Sequence, residues 1–553
     1  MFMKKVLLGI LLGSCLGVFA QPSLSGGQVT GNHETTFQYL NTDTTIGAFA
    51  PEQKVVMNSY TNVNYINGKF AAGMRLESYL PAIAGYPAFY SGTGVGYKYL
   101  QYNGDFVSFT AGNFYDQFGS GMIFRSYTEP ALGLDNVMNG ASIKVRPVNG
   151  IELKGVYGRQ RFNFADGQVI WSEGIVRGLD ADVNFNDLIP SFSESKLKIT
   201  AGASIVSKYQ PANNDTLRIP KNVAAYGGRI SLRYSGFFMD AEYIHKINDP
   251  TQLNGYVYNT GHGALINVGY SRKGLGINLT AKSLDNMVFR SDRVVEGNQL
   301  FINYLPATSN MHTYILPGTL YPYAPNFAGE IGYQLDVLYK IPKKTKLGGK
   351  YGTDLNLNVS VATDRVRHTS SENFDVDRIS YEGRPFDMTD SLFNFDFNLN
   401  ITRKLNKKWK VAATYYHFIF NNDVNKVTNF ASGYIKSDII VLDVTYKIAR
   451  KHTLRVEAQN LWTEKDRGDW AAFLAEYTFA PHWFVAVMDQ WNYGNSNENQ
   501  RLHFVLGSVG YLTGNSRIAV SYGKQREGIL CIGGVCRPVP ATNGLTFNFT
   551  HTF

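Results

Sequence analysis

The stretch Phe393-Asn394-Phe395-Asp396-Phe397-Asn398-Leu399-Asn400-Ile401-Thr402 alternates apolar and polar residues without a break. Successive side chains of a strand point to opposite faces, so a period of two predicts a strand with one apolar and one polar side. Residues 354–361 repeat the pattern, with Leu355, Leu357, Val359 and Val361 set against Asp354, Asn356, Asn358 and Ser360. A soluble sheet would turn its polar face to bulk water and collect Lys and Glu there. Asn, Asp, Ser and Thr instead predict an enclosed wet lumen on one side and lipid on the other.

The punctuation between such strands extends the reading to the whole chain. Very short turns recur at Asn67-Gly68, Asn103-Gly104, Asn149-Gly150, Ser235-Gly236, Arg272-Lys273-Gly274, Asn406-Lys407, Arg450-Lys451, Pro481 and Thr513-Gly514. Asn-Gly and related pairs accept the positive φ that two-residue hairpins need. Between them lie longer, irregular connections at 40–53, 81–93, 115–139, 161–173, 207–222, 248–261, 284–328, 365–389, 421–434 and 526–541. Short turns on one side and long loops on the other are the asymmetry of an outer-membrane barrel, with the turns periplasmic and the loops extracellular. Strands of ~9–12 residues between these connections number about twenty-four, from near Gly26 to Phe553. The fold class is therefore all-β, a transmembrane antiparallel barrel in one domain. In the last strand Leu545, Phe547, Phe549, His551 and Phe553 share a face. A terminal Phe after such alternation marks Phe553 as the signal read by barrel-assembly machinery.

Composition agrees. The 553 residues include 54 Gly, 35 Tyr and 35 Phe, with no linker and no long charge run. One ordinary globular core stops growing at about 250–300 residues, so a soluble chain of this length would need several domains. At the N-terminus, Lys4 and Lys5 precede an apolar run from Val6 to Phe19 and then Ala20-Gln21. This predicts a secretory signal peptide over residues 1–20, cleaved after Ala20, with the barrel over 21–553. Cys15 lies inside the apolar run and leads into Leu16 and Gly17, which disfavours a lipid-anchored cysteine. Removing two lysines from the net charge of +9 leaves about +7, scattered along the chain. No aromatic-interleaved basic stripe of a nucleic-acid binder is present. Cys531 and Cys536 then remain, and in an oxidising compartment they are expected to form a local disulfide.

Three stretches carry a resemblance. They are Gly112-Asn113-Phe114-Tyr115-Asp116-Gln117-Phe118-Gly119-Ser120-Gly121, Val176-Arg177-Gly178-Leu179-Asp180, and Gly533-Gly534-Val535-Cys536-Arg537 leading to Asn543-Gly544. With the Phe-Ala-Gln at the end of the signal region, they resemble an uncharacterised outer-membrane barrel family of the Bacteroidota. The resemblance covers nearly the whole mature chain and implies fold and location. It brings no established activity, and so no catalytic residues or cofactor.

Function has to be sought in what closes the lumen. Barrels of ~16–18 strands hold a water channel and ~22-stranded transporters are plugged. Strand pattern begins soon after Gln21, so a folded N-terminal plug is not expected; infolded loops or a bound partner must fill the space. Loop 284–328 carries Tyr304, Tyr314, Tyr321 and Tyr323, with Pro306, Pro317, Pro322 and Pro325. Loop 115–139 carries Asp116, Arg125, Glu129 and Asp135, with Gly119, Gly121 and Gly133. Long aromatic loops are usually packed and functional, either folded inward as a constriction or exposed for recognition. Cys531 and Cys536 bracket a short segment that either presents a recognition knob or staples a loop tip against proteases, and the staple is the simpler role. An enzyme reading rests only on His368 and Ser370, two apart as in membrane-barrel lipases but without a third group; no enzyme, metal site or cofactor is expected. Two functions stay open: a channel or transporter for a hydrophilic solute, and a component of assembly, secretion or attachment machinery bound to a lipoprotein or another barrel. Outer-membrane lipid and the assembly machinery are partners in either case.

Overall fold

The computed structural model describes residues 26–87, 89–211, 219–295, 297–369, 381–426, 428–532 and 535–553. The signal-peptide segment lies outside these residues, as does Ser370. Twenty-four antiparallel strands form one closed sheet. They begin with β1 (Gln28–Leu40), β2 (Val55–Asn67), β3 (Phe70–Tyr79), β4 (Gly92–Asn103), β5 (Val107–Phe114) and β6 (Met138–Val145). Next come β7 (Ile151–Ala165), β8 (Gln168–Asn184), β9 (Leu197–Tyr209), β10 (Asn222–Tyr234), β11 (Phe237–Lys246) and β12 (Gly261–Arg272). The second half opens with β13 (Leu275–Asp285), β14 (Gly329–Ile341), β15 (Thr353–Arg365), β16 (Met388–Lys404), β17 (Trp409–Asn421) and β18 (Tyr434–Ala449). It ends with β19 (His452–Trp462), β20 (Trp470–Phe479), β21 (Trp483–Trp491), β22 (Leu506–Thr513), β23 (Ser516–Gln525) and β24 (Thr542–Thr552).

Each strand pairs with its chain neighbours, and β1 closes the ring on β24 with His33 opposite His551 and Phe37 opposite Phe547. The seam ends where Gly31 and Phe553 exchange two backbone hydrogen bonds of 2.8 and 2.9 Å. Closure leaves no strand edge unpaired, which a bilayer requires because it offers no water to free amides and carbonyls.

The outward face is apolar, and the short-turn end carries an aromatic girdle. Phe70, Phe106, Tyr234, Phe237, Tyr339, Trp409, Phe479 and Trp483 are all exposed beside short turns. Several pair across hairpins, among them Trp409 with Tyr446 at 4.3 Å and Phe237 with Tyr270 at 4.5 Å between ring centres. Amphipathic rings favour the lipid headgroup level, so the girdle marks one membrane interface.

The structure corrects the placement of some connections. Residues 161–173, expected to be an irregular loop, continue β7 and β8 to a tight turn at Asp166 and Gly167, with φ of 51° and 79°. The irregular appearance comes from register shifts between Arg159, Arg161 and Asn163, which break the period of two. Two connections at the short-turn end, 185–196 and 342–352, are longer than any turn expected there. At the other end, 463–469 and 492–505 are further loops that the expected pattern omitted.

Candidate functional site

Two of the long loops fold inward and pack on the inner wall. After β5, residues 115–137 turn inward as two small hairpins, Gln117–Phe118 against Phe124–Arg125 and Thr128–Glu129 against Leu134–Asp135. The first turn needs the left-handed backbone of Gly119 and Gly121, whose φ values are 51° and 95°. It drives Phe118, Met122, Ile123 and Phe124 against Val156, Val176, Val206, Val223 and Ile244, which point inward from β7 to β11. Gly178 makes room for this packing, since a Cβ there would lie 2.7 Å from the Phe118 ring. The tip is held by the Ser120 amide, which donates to the Glu242 carboxylate at 2.9 Å.

Residues 286–328 cross the lumen from this core to the opposite wall. Met287, Phe289, Ile302 and Leu305 complete the first core. Arg125 N donates to Ile302 O and Tyr304 N to Gly121 O, each at 2.9 Å, so the two loops share backbone hydrogen bonds. Farther along, Leu316, Leu320 and Tyr321 pack on Phe418, Phe420, Ile435, Ile439 and Trp470, which point inward from β17, β18 and β20. Each fully buried side chain of this size contributes about 1.5–3 kcal/mol. Both ends of the crossing therefore rest on dry apolar seats.

Polar groups anchor the middle. The inward face of β15 and β16 receives the loop through Asp396, which accepts from Ser309 Oγ at 3.2 Å and pairs with His312 at 2.7 Å. Lys282 and Glu330, both wholly buried, form a 2.6 Å ion pair. That pair grips the loop: Lys282 Nζ donates to Pro306 O at 2.6 Å, while Glu330 accepts from the Asn326 amide at 2.7 Å and from the Tyr323 hydroxyl. On the other side, Arg75, Glu77 and Arg161 of the wall enclose Asp135 of the first loop. Glu77 takes Arg75 at 2.7 Å and Arg161 at 2.8 Å, and both arginines also reach Asp135. The two arginines and two carboxylates cancel, as burial demands. A third cluster, Lys208 and Arg293 on Asp249 at 2.6 and 3.1 Å, ties loop 247–260 to the same plug. Burial pushes Arg290 of the central loop down to about 10, its guanidinium lying 4.1 Å above the Phe301 ring.

Over residues 3–553 the sequence matches a family described as a family of unknown function, DUF6029. The chain belongs to that family. Among curated proteins nothing matches this DUF6029 member. Among solved structures it is similar to the copper transporter OprC, at 9% identity over 97% of this chain and 81% of that one, with a TM-score of 0.40. The siderophore receptor PirA from Acinetobacter baumannii gives 8% identity, 95% and 80% coverage and a TM-score of 0.41. OmpT, an outer membrane protein of Vibrio cholerae, gives 11%, 97% and 100% coverage and 0.25. These likenesses concern the barrel fold alone.

Of the residues singled out from the sequence, Asp116, Arg125, Tyr304, Tyr314, Tyr321 and Tyr323 lie in the two infolded loops. Arg125 lies 4.4 Å from the Tyr127 ring and 4.2 Å from that of Tyr304, joining the two loops. Asp116 accepts from Ser142 Oγ at 3.1 Å and from the Gln117 amide at 2.8 Å, bracing the first hairpin. Glu129 sits in the outer hairpin with Leu134 as its ladder partner. Tyr314 borders the second core, and the Tyr321 hydroxyl donates to Asp466 at 3.2 Å. Burial and that carboxylate hold the Tyr321 phenol well above its ordinary range. Cys531 and Cys536 are joined by a disulfide in a hairpin, Gly528–Ile532 with Val535–Val539, that caps the long-loop end. His368 lies in a two-residue strand whose ladder partner is Glu382, outside the plug. Among the described residues no group of three metal-ligating side chains is assembled.

The alternating polar positions face inward, but at this level the chain covers them itself. Asn358 and Ser360 are fully buried and Asn394 and Asp396 nearly so, because the central loop lies on them. Elsewhere at this level the inner wall alternates apolar seats with the buried ion pairs described above. Period-two reading distinguishes two faces but cannot show that an inner face is covered by the chain's own loops. The inward Val176, Val206, Val223 and Ile244, with Phe418, Phe420, Ile435 and Ile439, were the available signal, since they interrupt an otherwise polar inner face. The three resemblance-bearing stretches also come together: Phe114 to Gly121 enters the plug, Val176 and Gly178 form its seat, and Val535 to Arg537 belong to the cap.

Proposed function

We propose that this chain is exported with a signal peptide cleaved after Ala20, resides in the outer membrane, and passes a hydrophilic solute through a lumen that its own loops hold shut. The observation that carries the reading is the wall-to-wall packing of 115–137 and 286–328. Below the first loop a cavity of about 330 Å³ is lined by Asp182, Thr200, Arg229, Ser231, Asp240 and Asn267 together with Ala201, Ala241 and Leu265. Arg229 there is braced by Asp180 at 2.8 Å and Asp182 at 2.7 Å. A vestibule beneath a removable closure suits solute passage. A partner-bound machinery component would reserve the lumen for the partner, and here loops occupy it.

Planar-bilayer recording tests this. The intact barrel is expected to be nearly silent, and a version with 309–325 replaced by a short Gly-Ser linker to conduct steadily. A shortened barrel that keeps its heat-modifiable gel mobility yet conducts no more than the intact one would refute the closure. Liposomes bearing the shortened barrel that fail to swell in small sugars would refute the passage of hydrophilic solutes.

A further inference from the structure

Above the plug, at the long-loop end, five segments converge on an open cleft of about 490 Å³. They are loop 80–91, the outer hairpin of 115–137, the wall at Arg161 and Phe162, residues 297–300 of the central loop, and the disulfide hairpin. A volume of this order is typical of small-molecule sites, which run to ~300–1,000 Å³. One side is an aromatic shelf: Phe89 lies 5.7 Å from Tyr90 and 6.3 Å from Phe162, centre to centre, with Leu132 and Leu134 nearby.

The lining also holds a cation with no carboxylate partner among the described residues. Arg161 is satisfied by Glu77 and Asp135 beneath the floor. Arg537 of the disulfide hairpin is not: Nη2 donates to Ala131 O at 3.0 Å and the guanidinium lies 5.0 Å from the Tyr86 ring. Its Nε and Nη1 are buried and have no acceptor among the described residues. Burial pulls the group below its ordinary value, and its electrostatic neighbours among the described residues are the Tyr86 and Tyr60 hydroxyls. Buried donors of a charged group that lack an acceptor cost free energy, and a nearby anion lowers that cost. Nε and Nη1 lie on different edges of the guanidinium, so a carboxylate would meet the group through one oxygen as a charge-assisted contact.

We propose that this cleft binds an amphipathic small-molecule carboxylate, its carboxylate on Arg537 and its ring or alicyclic body on the Phe89–Phe162 shelf. Occupancy reaches the plug directly. Asn298 Nδ2 donates to Cys536 O at 2.6 Å, and Leu300 in the cleft wall leads into Phe301 and Ile302 of the plug core. The proposal adds a ligand to the barrel described above, and its test reads binding, not conductance, so the two can fail separately.

The test uses the full-length barrel in nanodiscs and isothermal titration with benzoate, cyclohexanecarboxylate and 2-naphthoate, each against its neutral amide. At least one acid is expected to bind saturably, with its amide about tenfold weaker or more, as for loss of one charge-assisted contact. Arg537→Gln should bring the acid down to the level of the amide, and Arg537→Lys should recover part of the loss. Phe89→Ala should weaken 2-naphthoate more than benzoate. Added salt should weaken the acids on the unaltered protein, which keeps the test independent of how the variants fold. The proposal is overturned if no acid binds saturably at millimolar concentration, if acid and amide bind alike, or if Arg537→Gln, with its disulfide intact, binds as the parent does.

Discussion

Removing the Glu330 carboxylate should unlatch the central loop. Glu330 and Lys282 have no solvent exposure and lie 2.6 Å apart. Together they hold Pro306, Tyr323 and Asn326 of the loop. Glu330→Ala leaves a buried lysine unpaired, a change that costs about 3–5 kcal/mol. At 1.4 kcal/mol per power of ten, the open population of the loop should rise by roughly two to three and a half powers of ten. Hydrogen exchange of peptides within 304–327 would register it, with single-channel open probability as the second readout. The paired replacement Lys282→Met with Glu330→Leu removes the lone charge. It should recover most of the loss, leaving the acceptors missing for the Tyr323 hydroxyl and Asn326 amide at about 1 kcal/mol each. Unchanged exchange in Glu330→Ala, or a double variant as open as the single one, would refute the assignment of this pair as the latch.

Gly178→Ala should push the Phe118 ring from its seat and loosen 116–126 by about 1–3 kcal/mol in exchange measurements. Adding Phe118→Ala should make the glycine change nearly silent, whereas additive losses would place the ring elsewhere. Replacing Cys531 and Cys536 by serine removes a ring so short that its loop entropy is about 2 kcal/mol. Protease cutting within 528–539 should increase while the barrel's heat-modifiable mobility stays the same. Asp43 bonds to Lys524 at 2.8 Å and to Asn543 at 3.0 Å across the β1–β24 seam. The Lys524 hydrogen bond holds its carboxyl below the ordinary 3.8. A depressed carboxylate stabilises above its unfolded value and loses that as pH falls through the folded one. Protection of loop 41–54 should therefore persist at pH 5 and vanish only below 3.8, and in Asp43→Asn it should not vary across that range.

Alternation in 354–361 and 393–402, the turns from Asn67-Gly68 to Thr513-Gly514, and the terminal aromatic strand made the barrel and its twenty-four strands legible in the sequence. Those signals are local, because a strand's period and a turn's φ requirement are properties of neighbouring residues. The hairpin at 166–167 was obscured for the same reason, its bulges displacing the period where the turn should have shown. The aromatic loops were also visible as segments too rich in Tyr and Phe to be left unpacked. What only the tertiary structure decided is where they pack. Phe118 meets Gly178 sixty residues away, Leu316 meets the wall of β17 to β20, and Arg537 meets the Tyr86 ring. Such contacts depend on how closure of the sheet brings distant strands around one lumen, and no local periodicity encodes that.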